Sequence, residues 1–233
     1  MNKNMIKNYM TPRLEMIFEL VPKSKVVCDI GTDHGYMAIK LIESKKAEKV
    51  IAADIKKGPL EAAKKNLEKS GKLLAADIRI SNGFHNIGMN EAETAVIAGM
   101  GGETISEILK CDKGVKNFVL QPQTAHMELR KFLCENGFLI KDESLCKEGN
   151  KMYAAILAIR GHGEEFSRAE LEIGPVLIRK KHYLLADYID YRLNEVYTAL
   201  EGLQKANFSE NKKAEYRYLK EEYEKIKKGF YET

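Results

Sequence analysis

The sequence predicts an α/β fold, a mostly parallel sheet wound with helices and closed by an antiparallel final strand, followed by a C-terminal α-helical coiled-coil hairpin. Three observations carry this. Short apolar runs alternate with helical stretches from residue 26 to residue 159, and the last two runs have only a turn between them. After Arg160 the strand signals stop, and two apolar stripes with three-four spacing take over. The expected domains are residues 1–161 and residues 162–233.

Val26-Val27-Cys28-Asp29-Ile30 is a first strand stopped by Gly31, and Tyr36 to Ser44 has helical spacing. Val50-Ile51-Ala52-Ala53-Asp54 makes the second strand, and Gly58-Pro59 opens a helix to Ser70 with proline near its first turn. Ile78 to Ser81, Thr94 to Ala98 and Phe118 to Leu120 read as the third, fourth and fifth strands, with helices from about Glu103 and Ala125. Phe138 to Leu145 and Met152 to Ile159, joined by Lys147-Glu148-Gly149-Asn150, are predicted to pair as an antiparallel hairpin. Beyond the Gly161-His162-Gly163 joint, Leu185, Ile189, Leu193, Val196, Leu200 and Leu203 form one stripe. Tyr216, Leu219, Tyr223, Ile226 and Phe230 form another. Ser209 is placed to cap the second helix. Narrow matching stripes with a short connection predict an antiparallel coiled coil, and docking of both stripes on the main domain is the alternative.

Composition narrows the class. Of 233 residues, 44% are hydrophobic and 31% charged, which excludes disorder as the dominant state. No apolar stretch approaches the roughly 18–20 residues needed to span a bilayer, so no membrane association is expected. The start, MNKNMIKNYMTPR, is basic with no apolar run after it, so no secretory signal is expected. Cys28, Cys111, Cys134 and Cys146 lie far apart without metal-ligand spacing; no metal and no disulfide framework are expected, and a cytoplasmic location fits. Net charge is +5 over residues 1–161 and −1 over residues 162–233, compatible with a polyanionic partner without demanding one.

Chemistry concentrates at strand ends. Asp29-Ile30-Gly31-Thr32-Asp33-His34-Gly35 turns the first strand into the first helix, where small residues let backbone approach a ligand. Asp54, 23 residues beyond Gly31, ends the second strand, where a carboxylate accepts both hydroxyls of a ribose. A dinucleotide pyrophosphate would be repelled by Asp33, whereas the methionine end of S-adenosyl-L-methionine carries cationic groups. The fourth strand ends in Ala98-Gly99-Met100-Gly101-Gly102, whose small side chains suit a flat base against backbone. A methyltransferase is therefore expected rather than a dehydrogenase.

With those residues in view, the chain resembles the TrmK family of bacterial tRNA (adenine-N1)-methyltransferases acting on adenine 22. The resemblance covers nearly the whole chain: Arg13-Leu14, the Asp29–Gly35 turn, Gly58-Pro59, Ile97 to Gly102, Leu120-Gln121-Pro122 and Gly174-Pro175. It implies a Rossmann-like class I methyltransferase domain with a C-terminal coiled coil, S-adenosyl-L-methionine as cofactor and tRNA as partner. By position, Asp29, Gly31 and Gly35 would shape the methionine pocket, Asp54 and Ile55 would hold ribose and adenine, and Asn82-Gly83 would contact the adenine. Ala98 and Gly99 complete the implied cofactor site; Arg13, His34, Met100 and Gly101 complete the implied substrate side. The family often carries Asp at the position of Asn82, whose amide still donates and accepts hydrogen bonds.

Adenine N1 attacks through an in-plane lone pair, and the ring is cationic before N6 loses a proton. A carboxylate near N6 would stabilise that charge or take the proton, the catalytic role assigned to Asp33. Asp33 as a plain turn residue or a ligand of the methionine ammonium stays open. His34 reads as a hydrogen-bonding structural side chain. His85, His126, His162 and His182 read as surface or packing residues, Gln121-Pro122 as pocket border or strand end, and Arg179-Lys180-Lys181 as phosphate grip or solvated face. The alternatives are a methyltransferase of another RNA or of a small molecule, and a non-catalytic RNA-binding protein. The sequence leaves the oligomeric state open, with a monomer favoured.

Overall fold

The computed structural model describes residues 9–205 and 210–232. The chain divides into two compact units, Met1–Glu164 and Glu165–Thr233.

In the first unit, α1 (Pro12–Leu20) starts with proline where no intrahelical amide partner is missed. Thr11 caps it by accepting the Leu14 amide at 3.3 Å. There follow β1 (Ser24–Ile30), α2 (Tyr36–Glu43), β2 (Ala47–Asp54), α3 (Lys57–Lys69), β3 (Ala76–Ile80), β4 (Thr94–Met100) and α4 (Gly102–Leu109). The unit closes with β5 (Asn117–Pro122), α5 (His126–Glu135), β6 (Phe138–Glu148) and β7 (Lys151–Arg160). Strands run longer than their apolar cores suggest: β2 takes in exposed Glu48 and Lys49, because ladder hydrogen bonds continue where one side meets water.

The seven strands form one sheet in the order β3-β2-β1-β4-β5-β7-β6. Neighbours from β3 to β5 pair parallel, and β7 pairs antiparallel with both β5 and β6. The predicted hairpin forms, and it is β7 that joins β5 while β6 takes the edge. Its turn is tighter than the four residues expected, since the strands reach Glu148 and Lys151 and Gly149 supplies the left-handed φ of +60°.

After β3 the chain reverses, so β1 and β4 lie side by side with their connections leading in opposite directions. Right-handed crossovers then place α2 and α3 on one face and α4 and α5 on the other, opening a crevice at the carboxyl ends of β1 and β4. The first face is packed by Val27, Val50, Val96 and Val119 against Ile17 and Phe18 of α1 and Met37 and Leu41 of α2, all buried.

The second unit holds α6 (Arg168–Ile173), α7 (Pro175–Arg179), α8 (Leu185–Lys205) and α9 (Glu210–Tyr231). Lys227 meets Asp190 at 2.5 Å and the Tyr197 hydroxyl donates to Glu224 at 3.4 Å, so α8 and α9 run antiparallel. Leu185, Ile189, Leu193, Val196, Leu219 and Tyr223 of the two stripes are buried. The base of the hairpin is covered by α6, which brings Glu172 to Arg192 at 2.8 Å. A small bundle therefore stands at the root of the two long helices. The cap expected at Ser209 lies outside the described residues.

Candidate active site

The turn after β1 is built by backbone rules. Gly31 takes φ +79°, and the amides of Gly31 and Thr32 both donate to the Ala53 carbonyl at 2.8 and 3.0 Å, hooking the turn onto β2. His34 is left-handed at φ +60°, a conformation that costs an L-residue about 1 kcal/mol or more. Asn66 of α3 holds it there by donating to the His34 carbonyl at 2.9 Å. Gly35 caps α2 with no side chain, and a Cβ there would stand 3.0 Å from Ala63.

This geometry sends the turn's two carboxylates opposite ways. Asp29 points into the crevice, only 6% exposed. The Asp33 side chain is 78% exposed, with Oδ1 3.2 Å from His34 Nε2. Burial pushes the Asp29 carboxyl up to about 6; the nearby Thr32 hydroxyl pulls it back in part, and the Asp54 charge adds to the rise.

Two cavities meet at the crevice, sharing Gly31, Asp54 and Met100. The first, about 500 Å³, is walled by Ile55, Asn82, Gly83, Phe84 and Ile108. Asp54 sits at its mouth with Oδ1 accepting the Lys56 amide at 2.7 Å, which fixes the carboxylate's direction. Gly83, at φ +55°, lets the loop after β3 close on Ile108; a Cβ would come within 3.1 Å of that side chain. The second cavity, about 440 Å³, contains Asp29, Asp33, His34, Ala98, Gly99 and Arg13. Its mouth carries an aromatic ladder: Tyr9 stacks on Tyr36 at 4.6 Å and 6°, and Tyr36 on His34 at 5.6 Å and 20°. Arg13 is steadied over the Tyr153 ring and donates to Gln121 Oε1 at 3.3 Å. A bulge between Ala98 and Met100 ends β4, and a Cβ on Gly31 would collide with Met100 Cε.

The residues fit an S-adenosyl group. An apolar slot, a fixed carboxylate at Asp54, a passage at Gly31 narrowed by Met100 and a buried acid at Asp29 follow one another along the crevice.

Twelve of the residues singled out from the sequence line these cavities. Gly35 and Gly101 do not: Gly35 packs α2 on α3, and Gly101 caps α4. Gln121 is fully buried and acts through Arg13. His85, read as surface or packing, borders the first cavity. Tyr9, Tyr36, Phe84 and Ile108 also line the cavities, and no motif marks them as site residues. Thr104 and Ile108 stand four apart on α4, as Arg13 and Ile17 do on α1, a spacing that marks a shared face.

Sheet order and crevice together define a Rossmann-like methyltransferase of the S-adenosylmethionine-dependent class. Within that class the chain belongs to the TrmK family, tRNA (adenine(22)-N(1))-methyltransferase, whose family model matches residues 27–228. It is 29% identical over 228 residues to the tRNA (adenine(22)-N(1))-methyltransferase of Bacillus subtilis, covering 94% of this chain and 95% of that one. Among solved structures it is similar to M. capricolum TrmK in complex with S-adenosyl-homocysteine, with TM-score 0.74, 28% identity and coverage of 94% and 96%. A Streptococcus pneumoniae protein in complex with S-adenosyl-L-methionine gives TM-score 0.81, 25% identity and coverage of 92% and 98%.

Proposed function

We infer that the protein transfers a methyl group from S-adenosyl-L-methionine to N1 of adenine 22 in tRNA by direct in-line attack of the base nitrogen. The observation that carries this is the junction of the two cavities at Gly31, Asp54 and Met100, where a nucleoside held in the first and a base entering the second would meet. The cofactor, when bound, supplies a methyl group on a sulfonium. The chain's residues bind and orient. Asp54 accepts the ribose hydroxyls, Ile55, Asn82 and Gly83 hold the adenine, and Asp29 faces the methionine ammonium. Ala98, Gly99 and Met100 border the seat of the target base, Arg13 stands at the mouth, and Asp33 meets the charge that develops on the base. N1 lies on the pairing edge, so the base enters turned out of its stack, and the Tyr36–His34 ladder offers ring faces that leave that edge free.

No helix among the described residues is long and apolar enough to cross a membrane. The proposal adds a cytoplasmic location, in keeping with the free Cys28, Cys111, Cys134 and Cys146, and a single chain as the working unit. It also makes residues 1–161 the methyltransferase domain and residues 162–233 a helical RNA-recognition domain.

The deciding experiment incubates the protein with transcribed tRNA and labelled S-adenosyl-L-methionine and identifies the nucleoside. Label in 1-methyladenosine that vanishes when adenine 22 is replaced is expected; label elsewhere, or none, overturns the reading. Asp54→Ala is expected to weaken cofactor binding by about 1–3 kcal/mol, the usual cost of stranding polar partners. Unchanged affinity in calorimetry would remove Asp54 from the ribose. A chain ending at residue 164 is expected to fold and bind S-adenosyl-L-methionine, since every cavity residue precedes that point. Its tRNA affinity should fall, because phosphate and shape contacts supply most RNA binding. A truncated chain that methylates tRNA with unchanged kinetics contradicts the recognition role.

A further inference from the structure

The turn between α7 and α8 reads Arg179-Lys180-Lys181-His182-Tyr183 and takes no part in the site described above. It is closely tied. The amides of Lys180, Lys181 and His182 donate back to Val176, Ile178 and Leu177 at 3.0–3.1 Å, and the Leu185 amide donates to the His182 carbonyl at 2.7 Å. Lys181 is left-handed at φ +48°, a strained state for a lysine that these bonds sustain. His182 is buried, and its Nδ1 accepts the Leu184 amide at 3.2 Å, so the imidazole is fixed in place and tautomer.

On that fixed ring lies Tyr183, with centroids 4.7 Å apart and planes 24° apart, while Tyr183 remains 79% exposed. A strained turn thus holds a large flat side chain in water, supported from beneath and open above. Arg179, Lys180 and Lys181 beside it are exposed. The unit as a whole carries as many acidic as basic residues, and cations such as Arg168, Arg192, Lys225 and Lys227 are matched to carboxylates. Lys181 has no ion pair among the described residues.

We propose that Tyr183 is a stacking platform for an unpaired base of tRNA, with Arg179, Lys180 and Lys181 receiving the flanking phosphates. None of these residues lines either catalytic cavity, and the proposal rests on tRNA being the substrate. Every base has a π-face, and a base stacked on an aromatic side chain is held without sequence readout, which suits a positioning contact. A rigid ring also loses little freedom on binding, and three neighbouring cations answer the charge of the backbone on either side. A bare polycation would grip duplex and single strand alike; the ring adds preference for a base outside a helix.

The protein contains no tryptophan, so Tyr183→Trp in the full chain puts a unique fluorophore at the platform. Titration with transcribed tRNA is expected to quench it strongly, and a fully paired RNA duplex of equal charge is expected to quench it little. Tyr183→Ala should raise the tRNA Kd and KM about tenfold, within the range for losing one stacked base. S-adenosyl-L-methionine affinity and kcat should stay unchanged. Replacing Arg179, Lys180 and Lys181 with Gln should flatten the dependence of log K on log salt. Equal quenching by duplex, an unchanged Kd for Tyr183→Ala, or a change in its sedimentation with no change in Kd would each overturn the proposal, the last by making the patch a contact between copies of the chain. Whether the wild-type protein methylates adenine 22 is read separately, so failure of the platform and failure of the tRNA function are distinguishable.

Discussion

Asp29→Asn is expected to abolish binding of S-adenosyl-L-methionine and, in the cofactor-free protein, to increase stability at neutral pH. Both effects come from one buried carboxylate. Asp29 has a folded-state value of about 6 against 3.8 in the unfolded chain, chiefly because burial penalises its charge. Between those values the folded protein holds a proton that the unfolded chain has released, so this group's contribution to stability grows as pH falls through 6 towards 4. Above 6 the carboxylate is ionised and buried, and the fold carries a cost of up to about 3 kcal/mol for a shift of about two units. Asparagine removes that cost, so denaturant titration should show a gain of about 1–3 kcal/mol at pH 7, vanishing near pH 4. The same charge is what a cationic ligand group needs, so wild-type affinity should decline as pH falls below about 6, with proton release on binding near that pH. A variant that binds the cofactor normally, or is less stable than wild type at pH 7, would falsify this assignment.

The parts of the molecule legible in its sequence are those where one local signal decides the outcome. A run such as Val50 to Asp54 between polar segments has few places to go except a buried parallel strand, and the short gap before Lys151 leaves the last two strands no conformation but a hairpin. The Asp29–Gly35 turn was legible because its glycines sit where left-handed φ and close approach require them, as Gly31 and Gly35 show. Other features depend on contacts made far along the chain. Arg130 and Glu143 look like surface charges, yet both are wholly buried and paired at 2.7 Å, locking α5 to β6. Tyr9 and Tyr36 are 27 residues apart and become a stack only because α1 lies beside α2. Helix α6 escaped notice because six residues are too few to show a period, although Ser167 and Glu170 form a capping box. The opposite fates of Asp29 and Asp33 depend on which face of the turn meets the sheet, and the motif spelling is the same for either.

That division bears on catalysis, and it leads to the expectation that Asp33→Asn lowers kcat about 100- to 1000-fold while cofactor affinity changes less than about twofold. Asp29 already occupies the buried position in the crevice, and Asp33, four residues on, stands 78% exposed at the mouth of the cavity. An exposed carboxylate in water does little for a distant cation. Once a base covers it, the same group would act across a lowered dielectric on the charge that builds on the adenine ring as N1 gains its methyl. Its effect therefore belongs to the reaction step, not to the empty enzyme or to cofactor binding. His34, 3.2 Å from Asp33 and stacked on Tyr36, tests the competing assignment of proton acceptor. His34→Phe keeps a ring on the ladder and should cost less than about tenfold if the carboxylate is the working group. Single-turnover rates with calorimetric cofactor affinities separate the cases. Cofactor affinity that falls in proportion to turnover in Asp33→Asn makes Asp33 a methionine ligand, and a loss in His34→Phe equal to that of Asp33→Asn transfers the proton to the imidazole.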